Sequence, residues 1–414
     1  MIFLLILFAF LVPTTLNKPD QTQQFSVVLG VGIDKADDGY EISTQILTSK
    51  SNQGFLESLQ VHSAKGQNIL DAVEKLSLHI GRISGFGNNS VIVFCEEVAK
   101  EDIANTLDFF IRSKRLNGNP VIMLTQSKAK NILSDVAKID ESFNYSLNSL
   151  AQLNNEFATG TMCTLEKFLN DYYDKTTATL VEVIKETNNA SDGIEIPSDN
   201  GSSDGSGANS GGGTSSPSSS SESNGGGEGD VKVLSNSGEA GVFKEGKQIA
   251  IMDYKTVEGI NILSTSKRNV YTIKDVNDHI FHNAEVVLSV RNKTITKELK
   301  FSKNNIPRVL YNIQYTLKVE QIIQNGIDRI ILDGSNNYLT DELIRRFTNE
   351  VKSSVANSIN IAKSYNADVL GWQLAFFRHQ PKKWQNYLKS LPDVNDALYK
   401  IECFLNINVK GNLW

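Results

Sequence analysis

The sequence predicts a multi-domain α+β protein with mixed sheets and packed helices, including an antiparallel-rich C-terminal sheet with one long helix. Three observations predict this fold class. The chain has 414 residues, and a single hydrophobic core rarely grows past about 300 residues. A Gly/Ser-rich segment separates two ordered regions. On both sides of that segment, strand-like alternation and helix-like periodicity follow each other along the chain.

The composition indicates a folded chain with no nucleic-acid partner. Hydrophobic residues make up 40% of the sequence, and the formal net charge is −6. Binding to nucleic acid needs clustered Lys and Arg that neutralise phosphates, which this charge balance does not favour. Cys95, Cys163 and Cys403 lie far apart, so the spacing predicts neither a zinc ribbon nor a disulfide framework.

An apolar run over residues 2–12 has the length of the hydrophobic region of a signal peptide. We therefore expect residues 1–24 to be a signal or anchor segment. No Lys or Arg precedes the run and no Ala-x-Ala cleavage site follows it. A cleaved signal, an uncleaved anchor and an incorrect start codon all remain open.

Residues 25–187 predict an N-terminal domain that opens with a β-hairpin. Two β-rich runs flank the turn pair Asp38-Gly39, which is a strong hairpin signal. Gly30 and Gly32 are then strand residues, because a nucleotide-binding fingerprint needs a helix directly after its glycines. The cluster of Asp34, Asp37 and Asp38 is interpreted as turn chemistry rather than as a calcium loop.

The rest of this region predicts a βαβ crossover beside the hairpin. A helix over 69–80 leads into an apolar strand at 90–95, and a second amphipathic helix over 103–111 leads into another strand at 120–124. Strand, helix and strand in this order predict two parallel strands joined by a right-handed connection.

Residues 188–234 are predicted to be a disordered Gly/Ser-rich linker. Between residues 197 and 230 the side chains are almost all small or acidic, so this stretch buries too little apolar surface to offset its ordering entropy. Gly201, Ser203 and Gly205 match the G-x-S-x-G nucleophile pattern. They lack the strand and helix that build that motif, so no catalytic serine is predicted.

Residues 235–414 predict a C-terminal domain. A hairpin over 241–252 precedes three alternating strands at 284–291, 294–301 and 308–319, which indicates a sheet with one exposed face. Thr340 is a suitable cap for a long helix with an apolar stripe. A short helix opens at Pro381, and a last strand ends the chain.

Candidate chemistry is sparse. His279-x-x-His282 is the one metal-like spacing, and it lacks the acidic or cysteine partners of known metal motifs, so a surface pair is the favoured interpretation. We expect no catalytic residue, no cofactor and no bound metal. The densest unusual segment, residues 367–387, mixes aromatic residues with Arg, as protein interfaces do. A core strand followed by a capped helix is the alternative interpretation.

At this segment the sequence resembles the Ger(x)C family, the C subunits of nutrient germinant receptors in endospore-forming bacteria. The residues that carry the resemblance are Asp368, Gly371, Phe376, Phe377, Arg378, Pro381, Lys382 and Trp384, followed by strands that end at Gly411. Residues 28–34, 85–99 and 107–112 are similar to family motifs too. We predict partner docking by Asp368, Gly371, Arg378, Pro381 and Trp384, with Arg378 and Trp384 serving docking rather than core packing.

The resemblance implies a non-catalytic receptor subunit in spore germination. It would lie on the outer face of the spore inner membrane beside membrane-embedded A and B type subunits. Two alternatives remain: a secreted or wall-facing ligand-binding module unrelated to germination, and a hydrolase whose site no motif reveals.

Three features depart from the family pattern. No cysteine precedes Cys95, so the lipobox cysteine is missing and lipid attachment to this sequence is not expected. The acidic Gly/Ser linker is an insertion, and Leu391-Pro392 stands where a Trp-containing stretch is common. We expect either a longer apolar segment encoded upstream or retention at the membrane through partner subunits.

Overall fold

The structure, a computed structural model, describes residues 25–411 apart from 51–55, 113–117, 140–146, 188–232, 265–267, 269, 326 and 331–337. The predicted signal or anchor segment, and the predicted linker up to residue 232, lie outside the described residues. Two β-sheets with packed helices organise the described part of the chain, which confirms the predicted α+β fold class.

Sheet 1 is a mixed sheet with the strand order β10-β9-β8-β6-β5-β1-β2-β3, to which β4 and β7 add short pairings with β1 and β6. Strands β1, β5, β6 and β8 run parallel, and the outer strands are antiparallel to their neighbours. The strands are β1 (Phe25–Ala36), β2 (Gly39–Lys50), β3 (Leu56–Gly66), β4 (Ile83–Gly85), β5 (Val91–Cys95), β6 (Val121–Thr125), β7 (Cys163–Thr164), β8 (Thr179–Thr187), β9 (Val233–Lys244) and β10 (Lys247–Met252).

Helices cover both faces of sheet 1. They are α1 (Ile69–Ile80), α2 (Glu96–Ala99), α3 (Ile103–Arg112), α4 (Ala129–Ile139), α5 (Leu147–Glu156) and α6 (Leu165–Asp174). One face packs against α1, α2, α3 and α6, and the other packs against α4 and α5. Every residue of β5 and β6 is therefore buried, as expected for central parallel strands. The predicted hairpin β1–β2 and the parallel pair β5–β6 are both confirmed.

For Asp34, the interpretation of the acidic cluster as turn chemistry is wrong. Its side chain is 1% exposed, and its carboxylate accepts hydrogen bonds from the backbone N–H of Ala129 at 2.7 Å and of Lys130 at 3.0 Å. It thereby caps α4 from a distant strand. Burial raises the pKa of Asp34, and the two N–H donors act in the opposite direction. Sequence spacing gave no sign of this long-range cap.

The hairpin β9–β10 follows the predicted linker and yet completes sheet 1. Strand β9 pairs antiparallel with β8, and β10 pairs with β9. The sequence predicted this hairpin, but it did not predict that the hairpin joins the first sheet. Sheet 1 therefore contains strands from both sides of the linker.

Sheet 2 is mostly antiparallel, with the order β11-β12-β13-β14 and with β15 parallel to β13. Its strands are β11 (Val270–Val276), β12 (Ala284–Phe301), β13 (Pro307–Gln324), β14 (Ile327–Ile330) and β15 (Glu402–Gly411). The remaining helices are α7 (Tyr254–Ile262), α8 (Asp341–Ser364), α9 (Trp372–His379) and α10 (Pro381–Lys389). Helices α8, α9 and α10 pack on one face of sheet 2.

The long helix α8 confirms its prediction in detail. Thr340 Oγ1 accepts a hydrogen bond from the N–H of Leu343, and Asp341 and Glu342 occupy the first turn. Its buried stripe includes Phe347 and Val351. No helix in the described ranges is both long enough and apolar enough to cross a membrane.

The two separate strands predicted at 284–291 and 294–301 form one strand, β12, of 18 residues. An irregularity in its pairing with β13 falls between Val290 and Asn292, so the predicted break is a bulge. Strands β3 and β11 and helix α7 were not predicted.

A shared core joins the two sheets. Helix α7 crosses α8 so closely that a Cβ atom added at Gly259 would collide with the Oγ atom of Ser358. Around this crossing, a cluster of buried side chains includes Leu180 and Val242 of sheet 1 together with Ala362 of α8. The C-terminal segment that resembles the family motif lies beside this junction.

Candidate partner-docking surface

The candidate site begins where α8 ends and the chain turns into α9. Asp368 is 2% exposed, and its carboxylate accepts hydrogen bonds from the N–H of Trp372 at 2.9 Å and of Gln373 at 2.7 Å. It caps α9 from four residues upstream. Gly371 lies between them with a φ of 63°, a left-handed conformation that glycine adopts without strain.

The electrostatics of Asp368 follow from its burial. Burial raises the pKa of this carboxyl to about 6, while the N–H groups of Gln373 and Trp372 favour the charged form. Both carboxylate oxygens are occupied by the helix N-terminus. The group is therefore placed to hold α9.

Asp368 also ties α9 to sheet 1. Its backbone carbonyl accepts a hydrogen bond from the N–H of Ala178 at 3.1 Å, next to the start of β8. Nearby, Lys244 Nζ donates to the carbonyl of Asn366 at 2.9 Å. A change in the position of α9 is thus coupled to the strands of the first sheet.

The inner faces of α9 and α10 form an aromatic core. The rings of Phe376 and Trp384 stack with centroids 5.6 Å apart and an interplanar angle of 10°. Trp384 also contacts Tyr387, with a centroid distance of 5.2 Å, and is only 4% exposed. Trp372 is buried as well, and its Nε1 donates to Tyr311 Oη at 2.9 Å.

The outer faces of α9 and α10 form a basic surface, here called the α9–α10 surface. Its members are Phe377, Arg378, His379, Pro381, Lys382 and Lys383, all of them exposed. The Phe377 side chain is 51% exposed. No acidic residue occurs between Asp368 and Asp393, although the whole chain has a net charge of −6. Among the described residues, Arg378, Lys382 and Lys383 take part in no ion pair.

The five predicted docking residues therefore divide into two groups. Asp368, Gly371 and Trp384 lie inside the segment and shape it, whereas Arg378 and Pro381 lie on its surface. For Trp384, the expectation of docking rather than core packing is revised, because its ring is enclosed by Phe376 and Tyr387. The docking role of the set stays a prediction, and its exposed members are the ones that a partner can reach.

The sequence analysis missed the contributions of Phe377 and Lys383 to this surface. The stretch between Asp368 and Asp393 has 24 residues without Asp or Glu, but residues 109–134 form a run of 26, so this feature alone does not mark the surface in the sequence. The alternative of a core strand before the short helix is wrong, because residues 372–379 form α9.

Glu182 is another buried titratable group of the described chain. Glu182 is 1% exposed, accepts a hydrogen bond from Asn154 Nδ2 at 2.6 Å, and has its pKa raised to about 8 by burial. Glu182 lines neither of two shallow depressions, of about 190 and 160 Å³; Asp368 and Trp372 are among the residues that line the first of them. Within the described ranges no group of three or more His, Cys, Asp or Glu side chains is placed to hold a metal ion.

Comparisons with known proteins agree with these motifs. A family model described as "Spore germination protein N-terminal domain" matches residues 20–186. A second, described as "Spore germination B3/ GerAC like, C-terminal", matches residues 238–411. Together they cover nearly all of the described chain. The N-terminal model matches the first part of the sequence and the C-terminal model matches the second.

A curated protein and a solved structure are also similar. "Spore germination protein KC" of Bacillus subtilis (strain 168) is 26% identical over 149 residues, which cover 33% of this chain and 36% of that protein. The aligned part thus spans about a third of the relative's length. The structure titled "Crystal Structure of the GerBC protein" has a TM-score of 0.47 at 12% identity, and covers 92% of this chain and 96% of that chain.

The two matched family models define a spore germination protein of the germinant receptor class. The chain belongs to the Ger(x)C family, as the motifs around Asp368 and Trp384 indicated.

Proposed function

We propose that this chain is a non-catalytic subunit of a nutrient germinant receptor that acts in spore germination at the membrane. The observation that carries the proposal is the match of both family models, in order, to residues 20–186 and 238–411. Its partners are membrane-embedded A and B type subunits, and it lies on the outer face of the spore inner membrane. A module unrelated to germination does not explain the match to two spore germination models.

The non-catalytic part of the proposal is supported by the roles of the buried carboxylates. A catalytic carboxylate must reach the proton that it transfers. Asp34 and Asp368 each use both oxygens to cap a helix, and Glu182 lies under α5. Asp34 and Asp368 are occupied by the fold, whereas Oε2 of Glu182 is buried without a hydrogen-bond partner in the described chain. The capping roles of Asp34 and Asp368 are consistent with a subunit that works through contacts.

The α9–α10 surface is the proposed contact region. Arg is enriched at interfaces because its guanidinium makes several hydrogen bonds, and unpaired cations beside an exposed aromatic ring fit an acidic partner surface. Asp368 and Trp384 act indirectly by fixing the angle at which Arg378 is presented. We also propose that the linker joins an N-terminal region, 25–187, to a C-terminal region, 235–414, whose first hairpin, β9–β10, completes sheet 1.

Deleting the reading frame tests the function. Spores that lack the chain are expected to stop responding to the nutrients recognised by its receptor, measured as the loss of optical density that accompanies germination. Restoring the chain restores the response. If the deletion strain responds to every nutrient at the parental rate, the chain is not a required receptor subunit.

A further inference from the structure

Strand β15 (Glu402–Gly411) has one uncovered edge. It pairs with β13 along its whole length, and no other described strand pairs with its opposite side. Strand β14 does not cover that side, because it pairs with β13 further along, at Gln321–Gln324. A row of backbone N–H and C=O groups on β15 therefore points outward.

This edge lacks the features that normally prevent pairing with another chain. Exposed edges are usually protected by charged side chains, proline or bulges. Between Glu402 and Lys410 there is no charged residue and no proline, and the register with β13 runs unbroken over ten residue pairs. By contrast, the part of β12 beyond β11 carries Lys297, Glu298 and Lys300.

The two faces of β15 differ in character. Cys403, Leu405, Ile407 and Val409 pack partly buried against the core of sheet 2. Phe404, Asn406 and Asn408 face outward and are exposed. An added strand would therefore have to present apolar residues on the inner side and uncharged residues on the outer side.

The strand itself meets these requirements. In an antiparallel pair of two β15 strands centred on Asn406, Leu405 lies opposite Ile407 and Cys403 lies opposite Val409. Glu402 then lies opposite Lys410 of the other copy, at both ends of the pair. Moving the centre to Leu405 would instead place Lys410 opposite Lys400, so charge selects the first register.

We propose that β15 pairs with β15 of a second copy of this chain, antiparallel, about a twofold axis that passes between the two Asn406 residues. Such an interface uses the same patch twice, as twofold dimers do. Sheet 2 then continues from one copy into the other, and the apolar inner rows join. This inference does not rest on the proposed receptor function.

Charge reversal tests the register. Lys410 makes no ion pair within the described residues, so Lys410→Glu leaves the contacts within the chain intact. This variant places Glu opposite Glu402 at both ends, and the dissociation constant of the dimer should rise roughly tenfold in sedimentation velocity of the full chain. Glu402→Lys should weaken association too, and it also removes the ion pair of Glu402 with Arg308 within the chain, so Lys410→Glu is the cleaner variant. An equimolar mixture of the two variants should dimerise again, because every contact is then of opposite charge.

A cysteine at the axis tests the geometry. Asn406→Cys brings two thiols opposite each other, within the Cα separation that a disulfide allows, so mild oxidation should give a covalent dimer. Thr294→Cys is the matched control, since Thr294 is exposed on the same face of sheet 2 but two strands away, and it should stay monomeric.

The proposal is overturned if the wild-type chain remains monomeric at micromolar concentrations. It is also overturned if the mixture of the two charge variants does not dimerise, or if the Asn406→Cys and Thr294→Cys variants cross-link equally. If the edge variants instead block binding of another protein to a monomeric chain, β15 is covered by a different partner and the dimer is wrong.

Discussion

Trp384→Ala destabilises the C-terminal half of the chain by about 3–5 kcal/mol, the usual cost of removing a large aromatic side chain from a packed core. The ring is 4% exposed and stacks on Phe376, so its loss leaves a cavity that the short helices α9 and α10 cannot close. Urea unfolding followed by near-UV circular dichroism measures the effect.

Arg378→Ala is the matched control for this experiment. Its side chain is exposed, and substitution of exposed residues usually changes stability by less than about 0.5 kcal/mol. The Trp384→Ala variant should therefore unfold at clearly lower urea than both the wild type and Arg378→Ala. An unchanged midpoint for Trp384→Ala would show that the ring does not lie in the core.

Asp368→Asn removes a pH dependence of stability. The folded-state pKa of Asp368 is raised from 3.8 to about 6, so the folded chain binds this proton more tightly than the unfolded chain. The contribution of the group is therefore most favourable below pH 3.8 and is lost as the pH rises through about 6. The shift corresponds to about 3 kcal/mol. Urea unfolding between pH 4 and pH 6 should show a steeper decline in the wild type than in Asp368→Asn, because Glu182, whose pKa is raised by burial to about 8, contributes a decline in both.

Asp278→Asn is the control, because the pKa of Asp278 is shifted in the opposite direction to that of Asp368. Burial acts to raise the pKa of Asp278, but hydrogen bonds from Thr340, Phe281 and Ile280 lower it below its usual value. Its favourable contribution is therefore present above pH 3.8 and is lost as the pH falls. Between pH 4 and pH 6, the free energy of unfolding of Asp278→Asn should therefore fall with pH at the same rate as that of the wild type. If the free energy of unfolding falls with pH at the same rate in the wild type and in Asp368→Asn, the burial of Asp368 is contradicted.

The sequence predicted those helices and hairpins that are specified by residues within the same short segment. Helix α8 has its cap at Thr340 and its stripe within one continuous segment, and the β1–β2 hairpin has its turn at Asp38-Gly39. The break predicted inside β12 was wrong because the pairing with β13 continues through Asn292 and Lys293, and the irregularity at that point is confined to the step between Val290 and Asn292.

The sequence selected the segment of the candidate site, whose docking role stays a prediction, but it did not separate the buried residues of that segment from the exposed ones. Aromatic residues with Arg indicate an interface or a core equally well, because both environments remove aromatic surface from water. Only the packing of Phe376, Trp384 and Tyr387 separates the buried residues from the exposed ones. The long-range contacts of Asp34 with α4 and of Asp368 with Ala178 leave no trace in local sequence patterns.

Co-purification from spore membranes tests the central claim most directly. A tagged full-length chain should recover two multi-span membrane proteins, and Arg378→Glu should reduce their yield roughly thirtyfold, because an interface Arg often contributes about 2 kcal/mol or more to binding. Arg329→Glu is the control, since Arg329 is exposed and forms no ion pair among the described residues, and it should retain the wild-type yield. Recovery of the chain without membrane proteins, or equal yields from both variants, would contradict the account.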